Sequence, residues 1–277
     1  MAQKVSDESI YQLWDELADF GAHLTDDALR YCMRRVCHWI GGDNAFWVGT
    51  VRVVSGTQAC KDPMLGWRIA AIRMLDPAHD SLRRVTDGVR DTHSNDPGDT
   101  SRSLMADAGN FRLYGLHQGD LVDLEAFQKT EHYQQFYRQL GVTDRIWVAF
   151  PVNDDTECYF CFDSTVEGHR FSPRDFQLVA QVLRGIKWLH QQALLSHGLH
   201  AGDNALTNGE RRVLNELLLG LAEKEIADRL QLTQGTVHQY AVKIFRKLGV
   251  SGRAQFMSLW LVGFSKAAEK SRSANQQ

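Results

Sequence analysis

The spacing of apolar positions along this 277-residue chain changes several times. Near the start they recur at three and four: Ile10, Leu13, Trp14, Leu17 and Phe20, then Leu29, Met33, Val36, Cys37 and Ile40. That spacing keeps one side of a helix apolar and predicts helices over 6–20 and 26–40. Gly21 separates them, Thr25 is placed to cap the second, and Gly41-Gly42 ends it. From Phe46 the chain becomes rich in aromatic and β-branched residues, which predicts strands over Phe46–Val54 and Gly66–Leu75 with a loop over 56–65. Asp76-Pro77 stops the second strand. A helix follows over 78–90, then a turn-rich loop over 93–100 and one or two helical turns over 101–108. A short strand over 111–114 and a helix over 124–140, weighted by Phe127, Tyr133, Phe136 and Tyr137, complete the middle.

The clearest hairpin joins Arg145–Val152 to Glu157–Phe162 through Asn153-Asp154-Asp155-Thr156. Neither arm alternates between apolar and polar, so the sheet is expected to be covered on both faces. Ser172-Pro173 opens a long helix, a capping residue followed by proline at the first helical position. It runs to about His197, with Phe176, Val179, Val182, Leu183, Ile186 and Leu189 on one side, and 198–205 is a linker. The order helix, helix, two strands, variable middle, hairpin and exit helix resembles GAF and PAS sensory domains. GAF is nearer because two helices precede the sheet. A phosphorylatable receiver domain would need alternating strands and helices from the start; Asp26-Asp27 falls at a helix start instead.

From Leu206 the period returns to that of helices. Thr207 and Glu210 form a capping box. Val213, Leu214, Leu217 and Leu218 share a face, and Gly220 ends the run. Ile226, Ala227 and Leu230 turn inward on a second helix from Glu223, and Thr233 caps a third over 234–248. At 100° per residue, Ala241, Ile244 and Leu248 lie on the Val237 side. Gly235, His238, Gln239, Val242 and Arg246 lie opposite, flanked by Lys243 and Lys247. Gly249 ends this helix, Ser251 is placed to cap a fourth, and Phe256, Leu259 and Trp260 are its apolar side. Two helices joined by a three-residue turn, the second basic on its outer face, form a helix-turn-helix.

This stretch resembles the LuxR-type (NarL/FixJ-like) DNA-binding domain. The matching residues are Leu206-Thr207, Glu210, Val213-Leu214, Gly220, Lys224-Glu225-Ile226-Ala227, Leu230, Thr236-Val237, Ile244, Lys247-Leu248-Gly249-Val250 and Arg253. It departs at Gly209 and His238, where the family usually has basic residues, and at Tyr240, where it usually has His or Asn. His238 lies on the reading face, so the departures bear on which operator is read. The Tyr, Trp and Asp pattern of the family's acyl-homoserine-lactone branch is not placed on this sequence. The resemblance implies a double-stranded DNA partner with a pseudo-palindromic operator. Thr233, Gln234, Thr236, His238, Gln239, Val242, Lys243, Arg246 and Lys247 are the candidate DNA contacts. His238, Gln239 and Val242 would read bases, and Thr236, Lys243, Arg246 and Lys247 would hold phosphates.

Charge agrees with this division. From residue 207 onward there are eleven Lys/Arg against six Asp/Glu; before it, twenty against twenty-eight. A basic tail on an acidic body concentrates DNA affinity at one end. No apolar run reaches the length of a membrane span and the N-terminus lacks a signal peptide's apolar block, so no membrane association is expected. Five cysteines, an odd number, suit reduced thiols and a cytoplasmic location. Cys158 and Cys161 have C-x-x-C spacing, but three residues along a strand they point to opposite faces. No nucleophile elbow, phosphate-cradling loop or H-E-x-x-H motif is present, and His93 and His117 have no partner at metal-ligand spacing, so no enzyme, metal or certain cofactor is expected.

The expected class is α+β: an antiparallel GAF/PAS-like sheet flanked by helices over 1–197, a linker over 198–205, an all-α four-helix LuxR-type domain over 206–265, and a disordered tail over 266–277. The front domain is expected to bind a small-molecule effector, to dimerise, or both. Trp47, Trp67, Arg68, Tyr114, His117, Tyr133 and Trp147 are the candidate pocket residues. The homodimer would be joined by the Pro173–His197 helix and the N-terminal helices. Two alternatives stay open: a ligand-independent interaction or dimerisation module, and a thiol-based redox sensor.

Overall fold

The computed structural model describes residues 5–76, 99–118, 121–199 and 205–262. The helix expected over 78–90, His93, most of the linker and the tail lie outside the described residues.

The chain opens with α1 (Asp7–Ala18), capped by the Ser6 hydroxyl, which accepts from the Ser9 amide. α2 (Thr25–Ile40) follows a 3-10 turn over Ala22–Leu24. Thr25 does not cap α2 as expected. It lies inside the helix and its hydroxyl donates back to the Ala22 carbonyl at 2.7 Å, because the preceding 3-10 turn brings that oxygen within reach. The strands β1 (Asn44–Arg52), β2 (Trp67–Met74), β3 (Arg112–Gly115), β4 (Asp144–Asn153) and β5 (Thr156–Ser164) form one antiparallel sheet in the order β2-β1-β5-β4-β3. The predicted hairpin is β4–β5, with Trp47, Phe160 and Val148 in register across its centre.

Both faces of the sheet are covered, as the unbroken apolar runs required. Against one face, α1, α2, α6 (Pro173–Gly185) and α7 (Lys187–Ser196) pack on Trp47, Val148, Phe150, Cys158, Phe160 and Phe162. Against the other, α3 (Asp99–Ala106), α4 (Leu124–Phe127) and the segment after it pack on Phe46, Val48, Trp67, Trp147, Tyr159 and Cys161. The two-residue period of a strand makes this division. It also separates Cys158 from Cys161, one in each core.

Two helices expected to be continuous are broken. Over 124–140 the chain forms α4, then α5 (Glu131–Tyr133), then a π-type turn over Gln134–Arg138. Thr130 divides them: its hydroxyl donates to the Phe127 carbonyl and accepts from the Tyr133 amide, closing one helix and capping the next. The exit helix breaks at Ile186 (φ −111°, ψ 38°). There the Trp14 indole donates to the Val182 carbonyl at 3.1 Å, taking the acceptor that the Ile186 amide would use. Gly185 admits the ring: a Cβ there would lie 2.1 Å from it. The end of this element, from Ala193 to Leu199, is buried within the chain. It therefore lacks the exposed face expected of a dimer seam.

The last helices are α8 (Asn208–Leu218), α9 (Glu223–Leu230), α10 (Gln234–Lys247) and α11 (Arg253–Val262). They share a third core of Val213, Leu214, Leu217, Ile226, Val237, Ala241, Ile244, Leu248 and Phe256. The architecture is α+β, with an all-α C-terminal part. No helix among the described residues is long and apolar enough to cross a membrane.

Candidate nucleic-acid interface

Several ends of the C-terminal helices are fixed by residues legible in the sequence. The Glu210 amide donates to the Thr207 hydroxyl at 3.3 Å, and Glu210 Oε2 accepts from the Thr207 amide at 2.7 Å. Gly220 and Gly249 take φ of +85° and +66° just after α8 and α10. In the turn between α9 and α10, Gln231 adopts the left-handed region at φ 55° and Thr233 caps α10 through the Thr236 amide. Arg253 ties α11 to the end of α8 by donating to the Leu217 and Leu221 carbonyls. Ser251 pairs with Gln255 through both its amide and its hydroxyl.

This frame turns one face of α10 outward. Val237, Ala241, Ile244 and Leu248 are buried; Gln234, Gly235, His238, Gln239, Val242, Lys243 and Arg246 are exposed. The His238 side chain is 64% exposed, and Val242 keeps 51% of its surface although it is apolar. Thr233 and Thr236 sit at the N-terminus of α10 with their hydroxyls 2.8 Å apart. His238 Nδ1 lies 3.0 Å from Glu223 Oε1 of α9.

Lys247 is the exception among the expected contacts. Its Nζ donates to Glu210 Oε2 at 2.7 Å and to the Ala205 carbonyl at 3.0 Å, and its side chain is only 19% exposed. In this arrangement Lys247 braces α10 against α8, and its ammonium is already held by protein acceptors. Burial works against the Glu210 charge, but Lys247 and the Thr207 cap outweigh it and lower its pKa.

Two of the departures noted in the sequence meet in space. A Cβ on Gly209 would lie 3.0 Å from the Tyr240 hydroxyl. The tyrosine of α10 thus occupies room that a side chain on α8 would take.

Residues 204–260 match the family model described as bacterial regulatory proteins, luxR family. This segment is a LuxR-family helix-turn-helix domain. Over 57 residues the chain is 40% identical to a protein described as a probable HTH-type transcriptional regulator GfsR, from Streptomyces halstedii. That alignment covers 21% of this chain and 24% of the relative, so the chain spans about a quarter of the curated relative it matches. Similar solved structures include SdiA in complex with octanoyl-rac-glycerol, at 12% identity and TM-score 0.46, covering 94% of this chain and 96% of that one. The VqsR LBD domain from Pseudomonas aeruginosa matches at 15% identity and TM-score 0.44, covering 68% of this chain and 95% of that one.

The LuxR-family domain is docked on the front of the chain. Arg211 of α8 donates to Asp26 Oδ1 of α2 at 2.8 Å and, through Nε, to the Ser196 carbonyl at 2.9 Å. Arg73 of β2 takes Asp26 Oδ2 at 2.8 Å, and His197 Nε2 lies 3.7 Å from the same carboxylate. Burial alone would raise the Asp26 pKa; His197, Arg211 and Arg73 outweigh it and bring it down to about 2. His197 is itself pushed down to about 3 by burial and the two guanidiniums, so at neutral pH the arginines hold the carboxylate ionised. With this contact made, the reading face of α10 is still exposed.

The expected pocket residues divide between faces. Trp67, Tyr114, Tyr133 and Trp147 meet in the second core. Trp47 belongs to the opposite core, with its ring against His197, because it alternates with Phe46 and Val48. Arg68 is spent on Asp62, and His117 is exposed with Nε2 against the Thr143 carbonyl. Sequence reasoning missed the buried charges of this region. Arg145 forks onto Asp163, with Nη2 at 2.7 Å, inside a cage of the Phe46, Tyr137 and Trp147 rings. Arg112 pairs with Glu157 at 2.7 Å and with the Tyr159 hydroxyl at 2.9 Å. The signal was present: Arg112, Arg145 and Glu157 are charged positions in otherwise apolar strands, which is rare unless they are paired.

Proposed function

We propose that this protein is a sequence-specific DNA-binding regulator of transcription whose front 197 residues form a sensory or dimerisation domain. The single observation behind this reading is the outward face of α10, which remains open while the rest of the LuxR-family domain is docked. His238, Gln239 and Val242 would lie along base edges, where imidazole and amide groups form hydrogen bonds and a small apolar group meets a thymine methyl. Lys243 and Arg246, with Thr233, Gln234 and Thr236 at the helix start, would hold phosphates. A homodimer would place two such helices one DNA turn apart on a pseudo-palindrome. The outer surfaces of α1, α2, α6 and the first half of α7 are the parts of the expected dimer seam that burial leaves available.

Selection of bound duplexes from a random pool tests this. Gln239→Ala should relax preference at one base pair by about 1–3 kcal/mol. Lys243→Ala should weaken all duplexes alike and reduce the salt slope by about one. The opposite assignment would refute the face described.

For the front domain, the internal pairing of Arg145 with Asp163 and of Arg112 with Glu157 supports a module that completes its core without an effector, since each buried guanidinium already has a carboxylate, although Arg112 Nε has no partner among the described residues. Native mass spectrometry of the purified chain distinguishes the two: a bound small molecule supports sensing, and a bare homodimer supports the module.

A further inference from the structure

Glu223 occupies an unusual place for an acid. It belongs to the face that would approach DNA, where a carboxylate is repelled by phosphates. It is not needed as a cap, since Glu225 Oε2 already returns to the Ala222 amide at 2.7 Å. Its position in the first turn of α9 suits a negative charge, yet its Oε1 is directed to His238 Nδ1 at 3.0 Å. A carboxylate only accepts hydrogen bonds, so the hydrogen of this pair resides on Nδ1. Nε2 is left on the outer edge of the ring, with no partner among the described residues.

Resting on the regulator reading above, we propose that Glu223 is a positioning residue that fixes the hydrogen-bond role His238 offers to the major groove. Tethered through Nδ1–H, the ring cannot turn over, and its groove-facing atom is Nε2. In a neutral imidazole that nitrogen is an acceptor. The group it suits is an exocyclic amino group: N6 of adenine or N4 of cytosine. Guanine and thymine present acceptors at the corresponding edges and are disfavoured. Without Glu223 the ring would sample both orientations and both tautomers, and the discrimination would be averaged away.

The test is selection from a random duplex pool at pH 8 with the full chain and the variants Glu223→Ala, Glu223→Gln and His238→Ala. The parent should show one operator position preferring adenine or cytosine, and His238→Ala should erase that preference. Glu223→Ala should reduce it about five-fold, the worth of one hydrogen bond, while leaving other positions intact. Glu223→Gln should retain part of it, because the amide oxygen can still accept from Nδ1–H although its NH2 can also donate to the other tautomer. A preference left unchanged in Glu223→Ala, whether or not all duplexes bind more tightly, would overturn the assignment, as would a preference in Glu223→Gln no stronger than in Glu223→Ala. A parent chain that enriches no sequence would instead remove the regulator reading, and this one with it.

Discussion

Arg211, on the first helix of the LuxR-family domain, and Asp26, at the start of the second helix of the front part, are joined at 2.8 Å although 185 positions separate them in sequence. Their side chains are only 13% and 23% exposed, so solvent screens the pair little. This contact, shared with Arg73, links the DNA-facing and front parts of the molecule. Arg211→Ala, Asp26→Asn and the double variant form a cycle whose coupling energy should be about 1–3 kcal/mol in denaturant unfolding. A coupling near zero would show that the two parts unfold independently of this contact.

Acid should weaken the fold in two stages. His190 and His197 are buried, and their pKa values are lowered to about 4 and about 3, chiefly by burial. A lowered folded-state value means that the unfolded chain binds the proton first. Stability is therefore complete above the ordinary histidine pKa of 6.5 and falls as pH drops below it. With both residues contributing, the slope between pH 6 and 4 should approach about 2.7 kcal/mol per pH unit. Asp26 adds a later loss: its carboxylate is fully stabilising above 3.8 and loses about 2 kcal/mol as pH falls through about 2. Urea titrations from pH 8 to 4 on the parent and on His190→Gln measure the first stage. A slope unaltered by the substitution would contradict it.

Lys247→Ala should act on the domain itself more than on its DNA. The change leaves the 5%-exposed Glu210 side chain without its cation, which should cost about 1–3 kcal/mol of stability. A Tm lowered by several degrees with an unchanged salt slope of DNA binding is the expected result. An unchanged Tm with a flattened slope would return Lys247 to the phosphates.

Iodoacetamide should label one cysteine in the folded chain. Cys60 is exposed, whereas Cys32, Cys37, Cys158 and Cys161 are buried. Burial raises all four buried thiols, Cys32 to about 12, so little thiolate is available to react. Peptide mapping after brief alkylation checks this, and rapid modification of Cys158 or Cys161 would revive a thiol-based sensor.

The C-terminal part was readable in detail because most of its boundaries are set by local chemistry: the Thr207–Glu210 box, the glycines at 220 and 249, and the Thr233 cap. The sheet was readable for a similar reason, since strand composition and the Asp154–Asp155 turn are local. What escaped was non-local. The break at Ile186 depends on Trp14, more than 160 residues away. The division of Trp47 from Trp147 depends on which neighbour each strand takes. Asp26 reads as a first-turn acid, and its three partners are supplied by a strand, the end of α7 and a helix of the following domain.

The close approach of Tyr240 to Gly209 bears on how operator preference could be transplanted. A chimera that receives only α10 of a relative would exchange the tyrosine for another side chain and leave a gap above the glycine. One that receives only α8 would drive a bulkier residue into the ring. Exchanged as a matched pair, the two segments would spare the tyrosine the shift of a few tenths of an ångström that a side chain at 209 demands.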